Sequence, residues 1–234
     1  MNELDRLNAQ IVQCRKCPRL VVYREKVAEV KRRAFSEWDY WGKPVPGFGD
    51  PRAELVILGL APAAHGANRT GRMFTGDRSG DFLYKALYEA GFASQPTSVR
   101  RDDGLVLSGA YISATARCAP PDNKPLPSEL ANCEPYFVHD LEILKPRAVL
   151  ALGGIAMRAY LGVLKQSGAI ASLARFPFSH GANFEFEGGL PRLFASYHPS
   201  QQNTFTGRLT EEMLCDVLAN IRAYLKRPAT RRRS

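Results

Sequence analysis

The sequence predicts an α/β protein, a three-layer α/β/α sandwich around a central, mainly parallel, four-stranded sheet. Three observations carry that expectation. Short apolar runs recur at 55–58, 111–113, 148–152 and 193–196, each is about strand length, and helical stretches separate them. The runs are nearly continuous in hydrophobicity and lack the alternation of a half-solvated sheet, so both sheet faces are expected to be covered. Strands alternating with helices then imply parallel pairing through right-handed crossovers.

The elements follow in chain order. Residues 1–33 read as helical, with Leu4, Leu7 and Ile11 and later Val22, Val27 and Val30 at helix-like spacing, broken over 14–18. Over 36–52 the spacing fails, and Trp38, Tyr40, Trp41, Pro44, Pro46 and Gly47 make an aromatic, turn-rich loop that is expected to be ordered. Helices are expected over 81–90, 128–144, 155–161 and 210–225, between and after the strands. No internal repeat is present. Residues 1–225 are read as one domain and 226–234 as a basic tail ending in Arg231, Arg232 and Arg233.

Composition excludes a disordered chain: of 234 residues, 45% are hydrophobic and 24% charged. Lys+Arg 32 against Asp+Glu 23 leaves +9, which suits a polyanionic partner, and no basic amphipathic helix points to an acidic membrane instead. Nucleic acid is the expected partner. No segment reaches the roughly 18–20 apolar residues of a bilayer span, and residues 1–5 have neither a basic start nor an apolar core, so the cytosol is the expected compartment. Five cysteines in a reducing compartment are expected to be free, metal-bound or catalytic.

Their grouping separates those roles. Cys14 and Cys17 form a C-x2-C pair, and Cys118 and Cys133 supply two more thiols. Four soft ligands suit tetrahedral zinc or an iron–sulfur cluster, and spacing alone does not choose. Proline follows Cys17 directly and Cys118 after one residue, giving the dry flanks of cluster-binding loops. Cys215, beside Met213, Leu214 and Val217, reads as a buried core thiol.

Ligands of open parallel sheets bind beyond the carboxyl ends of the strands. Here those ends carry Gly59-Leu60-Ala61-Pro62-Ala63, continuing to Gly71-Arg72-Met73-Phe74-Thr75-Gly76-Asp77, and Tyr197-His198-Pro199-Ser200-Gln201-Gln202-Asn203-Thr204. With the four cysteines, these motifs resemble the uracil-DNA glycosylase superfamily, most of all its family-five (type B) members, over residues 14–213. The resemblance implies a monofunctional enzyme of base excision repair that cleaves the N-glycosidic bond of a deaminated base in DNA and leaves an abasic site. It also implies a structural [4Fe-4S] cluster on Cys14, Cys17, Cys118 and Cys133. A cytoplasmic, nucleoid-associated monomer is expected.

Physical chemistry assigns roles within that resemblance. A stacked base is out of reach, so the nucleotide must be extruded into a pocket. Phe74 is expected to stack on it, with Gly59, Ala61 and Ala63 lining the pocket. Cleavage develops negative charge on the base and positive charge on the sugar. His198 is expected to hydrogen-bond the base oxygen beside the breaking bond, its protonation state left open, and Asp77 to position water and stabilise the sugar cation. Asp81 is expected to cap the following helix. Of the other histidines, only His65 is kept as a neighbour of the pocket or of phosphate.

Two departures from the wider superfamily matter. Ala61 stands where relatives carry an aspartate or asparagine, so the water role moves to Asp77 or Asn123; Ala114 stands where relatives place a uracil-reading asparagine. A pocket without that amide discriminates less strictly, which predicts activity on other deaminated bases such as hypoxanthine, with Asn123 as a substitute contact. Arg69, Arg72, Lys124 and Arg208 are candidate phosphate contacts, and Gln201, Gln202 and Asn203 are candidates for following the minor groove or filling the gap left by the flipped base. A non-catalytic zinc-containing nucleic-acid-binding module is the alternative, and a redox carrier a more distant one.

Overall fold

Period-two packing accounts for the architecture. In the computed structural model, which describes residues 2–228, the strands are β1 (Phe48–Gly49), β2 (Leu55–Gly59), β3 (Ala110–Ala114), β4 (Ala148–Leu152), β5 (Asn183–Phe184) and β6 (Arg192–Ser196). They form one sheet in the order β1-β3-β2-β4-β6-β5. The inner four are mutually parallel, with Ile57 in register between Ile112 and Leu150. Leu55 and Ile57 pack into one core and Val56 and Leu58 into another on the opposite face, which is why each run reads as unbroken apolar sequence.

Helices cover both faces. They are α1 (Glu3–Val12), α2 (Pro18–Val30), α3 (Ala67–Thr70), α4 (Arg78–Glu89), α5 (Pro127–Leu144), α6 (Gly154–Gln166), α7 (Gln201–Phe205) and α8 (Glu211–Leu225). The α4 and α8 pair packs on one face through Leu83, Leu87, Leu214 and Ile221, while α1, α5 and α6 pack on the other through Leu4, Phe137, Met157 and Tyr160. Pro18 and Pro127 open α2 and α5, where a missing N–H costs nothing and a fixed φ helps. No helix among the described residues is long and apolar enough to cross a membrane.

The sheet differs from the sequence expectation in having six strands rather than four. The additional β1 and β5 are two-residue antiparallel edge strands, too short to show a period-two pattern, and β1 lies in the segment read as a turn-rich loop. Two short helices, α3 and α7, also escape a periodicity argument at four and five residues. Cys215 is half-buried rather than fully buried, its thiol donating to Glu89 Oε2 at 3.1 Å. The basic tail lies beyond residue 228 for most of its length, outside the described residues.

Leu150 is fully buried at the centre of the sheet. Replacing it with alanine is expected to lower unfolding free energy by about 2–5 kcal/mol, read as a lower urea midpoint at unchanged slope.

Candidate active site

Strand order reverses between β2 and β4, and the loops leaving the carboxyl ends diverge there around a cavity of about 660 Å³. Gly59, Ala61 and Ala63 line it from the β2 exit and Ala114 from the end of β3. Phe74 and Asp77 come from the segment before α4, Asn123 from the loop before α5, and His198, Gln201 and Gln202 from the segment after β6. Four stretches far apart in sequence therefore share one concavity.

The segment between β2 and α4 is held by two buried guanidiniums. Arg69 donates from Nε to the His65 carbonyl at 2.8 Å and from Nη2 to the Gly76 carbonyl at 2.7 Å, between the Phe35 and Trp38 rings at 3.9 and 4.0 Å. Arg72 pairs with Asp103 at 2.7 Å and donates to Thr75 Oγ1 and Ser98 Oγ at 2.9 and 2.8 Å. Both side chains are withdrawn from solvent, at 3% and 2% exposure, which overturns their reading as phosphate contacts. Their charges are consumed in fixing the loop's shape.

That shape presents Phe74 and Asp77 to the cavity. Phe74 sits in the left-handed region at φ +53, a strained conformation, while the Tyr84 hydroxyl donates to the neighbouring Met73 carbonyl at 2.9 Å. A Cβ on Gly59 would meet the Phe74 ring at 2.9 Å, so glycine lets the ring lie flat over the strand end. Its centroid is 5.8 Å from that of His198, with 33° between planes. Asp77, not Asp81, caps α4: its Oδ1 accepts from the Gly80 N–H at 3.0 Å. Burial pushes the Asp77 carboxyl above the usual carboxylate range.

His198 follows β6, and the Asn203 amide, half-buried at a second cavity, donates to its carbonyl at 2.9 Å. Burial pushes the imidazole down to about 4, so the ring is neutral at neutral pH. Asp122 and Asn123 both take left-handed backbone, at φ +53 and +56. The turn they form is tied to α2, because Arg19 donates to the Lys124 carbonyl at 3.1 Å while pairing with Glu129 at 2.8 Å.

The remaining predicted positions divide. Lys124, Gln201, Gln202 and Arg208 are exposed, and Arg208 lies 4.5 Å above the Tyr197 ring beside a second cavity of about 250 Å³ that shares His198 and Leu60 with the first. His65 lies outside the cavity wall and shares a hydrogen bond of 3.1 Å with the Tyr40 hydroxyl. Arg78, Ser79, Asp122 and Ser200 also line the main cavity and were missed in the sequence. Each lies within two residues of a predicted site residue, which was the available signal.

Cys14, Cys17, Cys118 and Cys133 line one small cavity between α2, α5 and the loop after β3. Arg24 Nη1 donates to Cys118 Sγ at 2.9 Å and Asn132 Nδ2 to Cys17 Sγ at 3.4 Å. Among the described residues, no three His, Cys, Asp or Glu side chains are arranged to hold a single metal ion.

Residues 46–222 match the Uracil DNA glycosylase superfamily, and the chain belongs to it. Within that superfamily three relatives carry the same name, Type-5 uracil-DNA glycosylase. The chain is 54% identical over 213 residues to the one from Mycobacterium bovis, covering 90% of this chain and 78% of that protein. It is 51% identical to the Thermus thermophilus protein over 89% of this chain and 92% of the relative. For Pyrobaculum aerophilum the identity is 47%, covering 89% and 88%. The family resemblance read from the motifs therefore holds.

Desolvation disfavours the imidazolium, so the His198 ring is expected to titrate near 4 in the folded protein. An imidazole NMR titration checks this: a midpoint near the ordinary value of about 6.5 would contradict the burial described.

Proposed function

We propose that the chain hydrolyses the N-glycosidic bond of uracil, and of other deaminated bases such as hypoxanthine, in DNA, leaving an abasic site without cutting the strand. The observation that carries this reading is the meeting of Phe74, Asp77 and His198 on one cavity. The relatives' shared name supports the uracil activity. The wider base range rests on Ala114, whose methyl group in the cavity wall offers no hydrogen bond to read one base against another.

An extruded base stacks on Phe74, and the small side chains of Ala61 and Ala63 leave room for its ring. As the C–N bond breaks, its electron pair passes to the base. Neutral His198 donates an N–H hydrogen bond to the base oxygen beside that bond, so negative charge meets a dipole already in place. A water molecule attacks the sugar cation at its anomeric carbon and gives its proton to Asp77. Oδ1 of Asp77 is occupied by the Gly80 N–H, which leaves Oδ2 for the water. A Cβ on Gly66 would come within 1.9 Å of that Oδ2, so glycine there makes room for the carboxylate itself. Asn123, at the cavity rim, contacts the base, while Lys124, Arg208, Gln201 and Gln202 meet the flanking strands.

Cys14, Cys17, Cys118 and Cys133 hold a structural [4Fe-4S] cluster in this reading. Their thiols line one cavity, which supplies the four soft ligands such a cluster takes, and a buried cation stands against one sulfur. When bound, the cluster supplies a cross-link between α2 and the loop after β3, with no part in bond cleavage. The enzyme works as a monomer, one domain over residues 1–225, in the cytoplasm at the nucleoid.

Incubation with a uracil-containing oligonucleotide followed by alkali is expected to give strand scission, and hypoxanthine and xanthine substrates weaker scission. DNA binding without scission would reject the enzymatic reading. His198→Ala is expected to lower kcat by about 10²–10³-fold, as loss of a preorganised donor does. Asp77→Asn is expected to lower it by about 10²–10⁴-fold. Because burial raises the Asp77 pKa and the ionised form is the base, kcat falls as pH drops through that raised value, and the asparagine variant loses this acid limb.

A further inference from the structure

Arg24 is a buried charge without a close carboxylate partner. Its side chain is 2% exposed, and the guanidinium cannot shed its proton. The nearest carboxylate, Glu25, stands 3.7 Å away, is half in solvent, and is already held by Arg15 at 2.5 and 3.2 Å. Asp140, the buried carboxylate nearby, is taken by Arg117 and Ser113. Arg24 instead donates from Nη1 to Cys118 Sγ at 2.9 Å and reaches the Cys14 carbonyl at 3.4 Å, and its Nε is buried with no partner. Cys17, Leu20, Val21 and Arg24 lie at helical spacing on the buried face of α2, so the helix that opens at one thiol aims a cation at another.

We infer that Arg24 is a positioning residue for the cysteine-held cluster, acting as its counter-cation and raising its reduction potential. The inference rests on the reading that the cluster binds these four cysteines. A neutral thiol accepts weakly and would leave the guanidinium uncompensated, whereas the thiolates of a cluster supply the missing anion. Adding an electron makes the cluster more negative, and a buried positive charge hydrogen-bonded to its sulfur favours that reduced form. Asn132, at 3.4 Å from Cys17 Sγ, offers a neutral donor, whose dipole biases the cluster the same way but less than a full charge does.

The test compares purified full-length wild type, Arg24→Lys, Arg24→Gln and Arg24→Met, each assayed first for iron. Dithionite delivers one electron per cluster, taking the 2+ core to 1+, and the titration is followed by electron paramagnetic resonance. Glutamine and methionine are expected to move the midpoint to more negative potential, with lysine between them and wild type. Resonance Raman of the oxidised cluster reads the same contact without reduction, and the Fe–S(Cys) stretch is expected to rise when the donor is lost. Unchanged midpoints and stretching frequencies in iron-loaded variants would overturn the role of Arg24. Should the uncharged variants fail to fold, the wild type itself carries the test: an N–H···S bond from Arg24 to Cys118 shifts the Fe–S(Cys) stretch when the protein is exchanged into D2O, and an unshifted stretch would overturn the role. A wild type free of iron would instead reject the cluster itself.

Discussion

Charge burial governs how this site is shaped. Between β2 and α4 the chain has too little regular structure to hold itself, and Arg69 and Arg72 supply what hydrogen-bond ladders do elsewhere. Each guanidinium fans its donors onto main-chain carbonyls, hydroxyls or a carboxylate, and each lies against aromatic rings. The left-handed backbone of Phe74 persists because its surroundings over-determine it. Asp77 then stabilises the N-terminus of α4 through Oδ1 while its side chain forms part of the cavity wall. Removing the cap would loosen the helix whose first turn forms the cavity wall.

Burial divides the two titratable groups of the cavity in a useful direction. The same loss of water that raises the Asp77 carboxyl lowers the His198 imidazole, so both are driven toward neutrality. For the histidine this provides a donor without an added positive charge. For the aspartate it provides a carboxylate more basic than one in water, which suits proton acceptance. Phe74, stacked near the imidazole, helps keep water from both.

Much of this was legible in the sequence because it depends on local pattern. The four inner strands, the main helices and their order follow from apolar runs and helical periodicity, and the motifs at strand ends marked Gly59, Phe74, Asp77 and His198. What escaped depends on distant partners. Arg69 and Arg72 read as phosphate contacts because arginine in a polar loop normally faces water, and their burial comes from Trp38, Ser98 and Asp103, which no local spacing connects to them. Asp81 reads as the cap until the first turn of α4 is drawn and Asp77 takes that place, and Asn203 reads as a surface amide until the backbone at His198 turns back to meet it. The edge strands β1 and β5 are defined by their neighbours alone.

The cysteine cavity joins residues near the start of the chain to residues just past its midpoint. Cys14 and Cys17 leave the ribosome about a hundred residues ahead of Cys118, and Cys133 follows later still. At roughly 5–20 residues per second, the leading pair waits some ~5–20 s for its partners. During that interval α2 carries Arg24 without the sulfur it faces in the fold, so docking of α2 on this cavity awaits synthesis through Cys133.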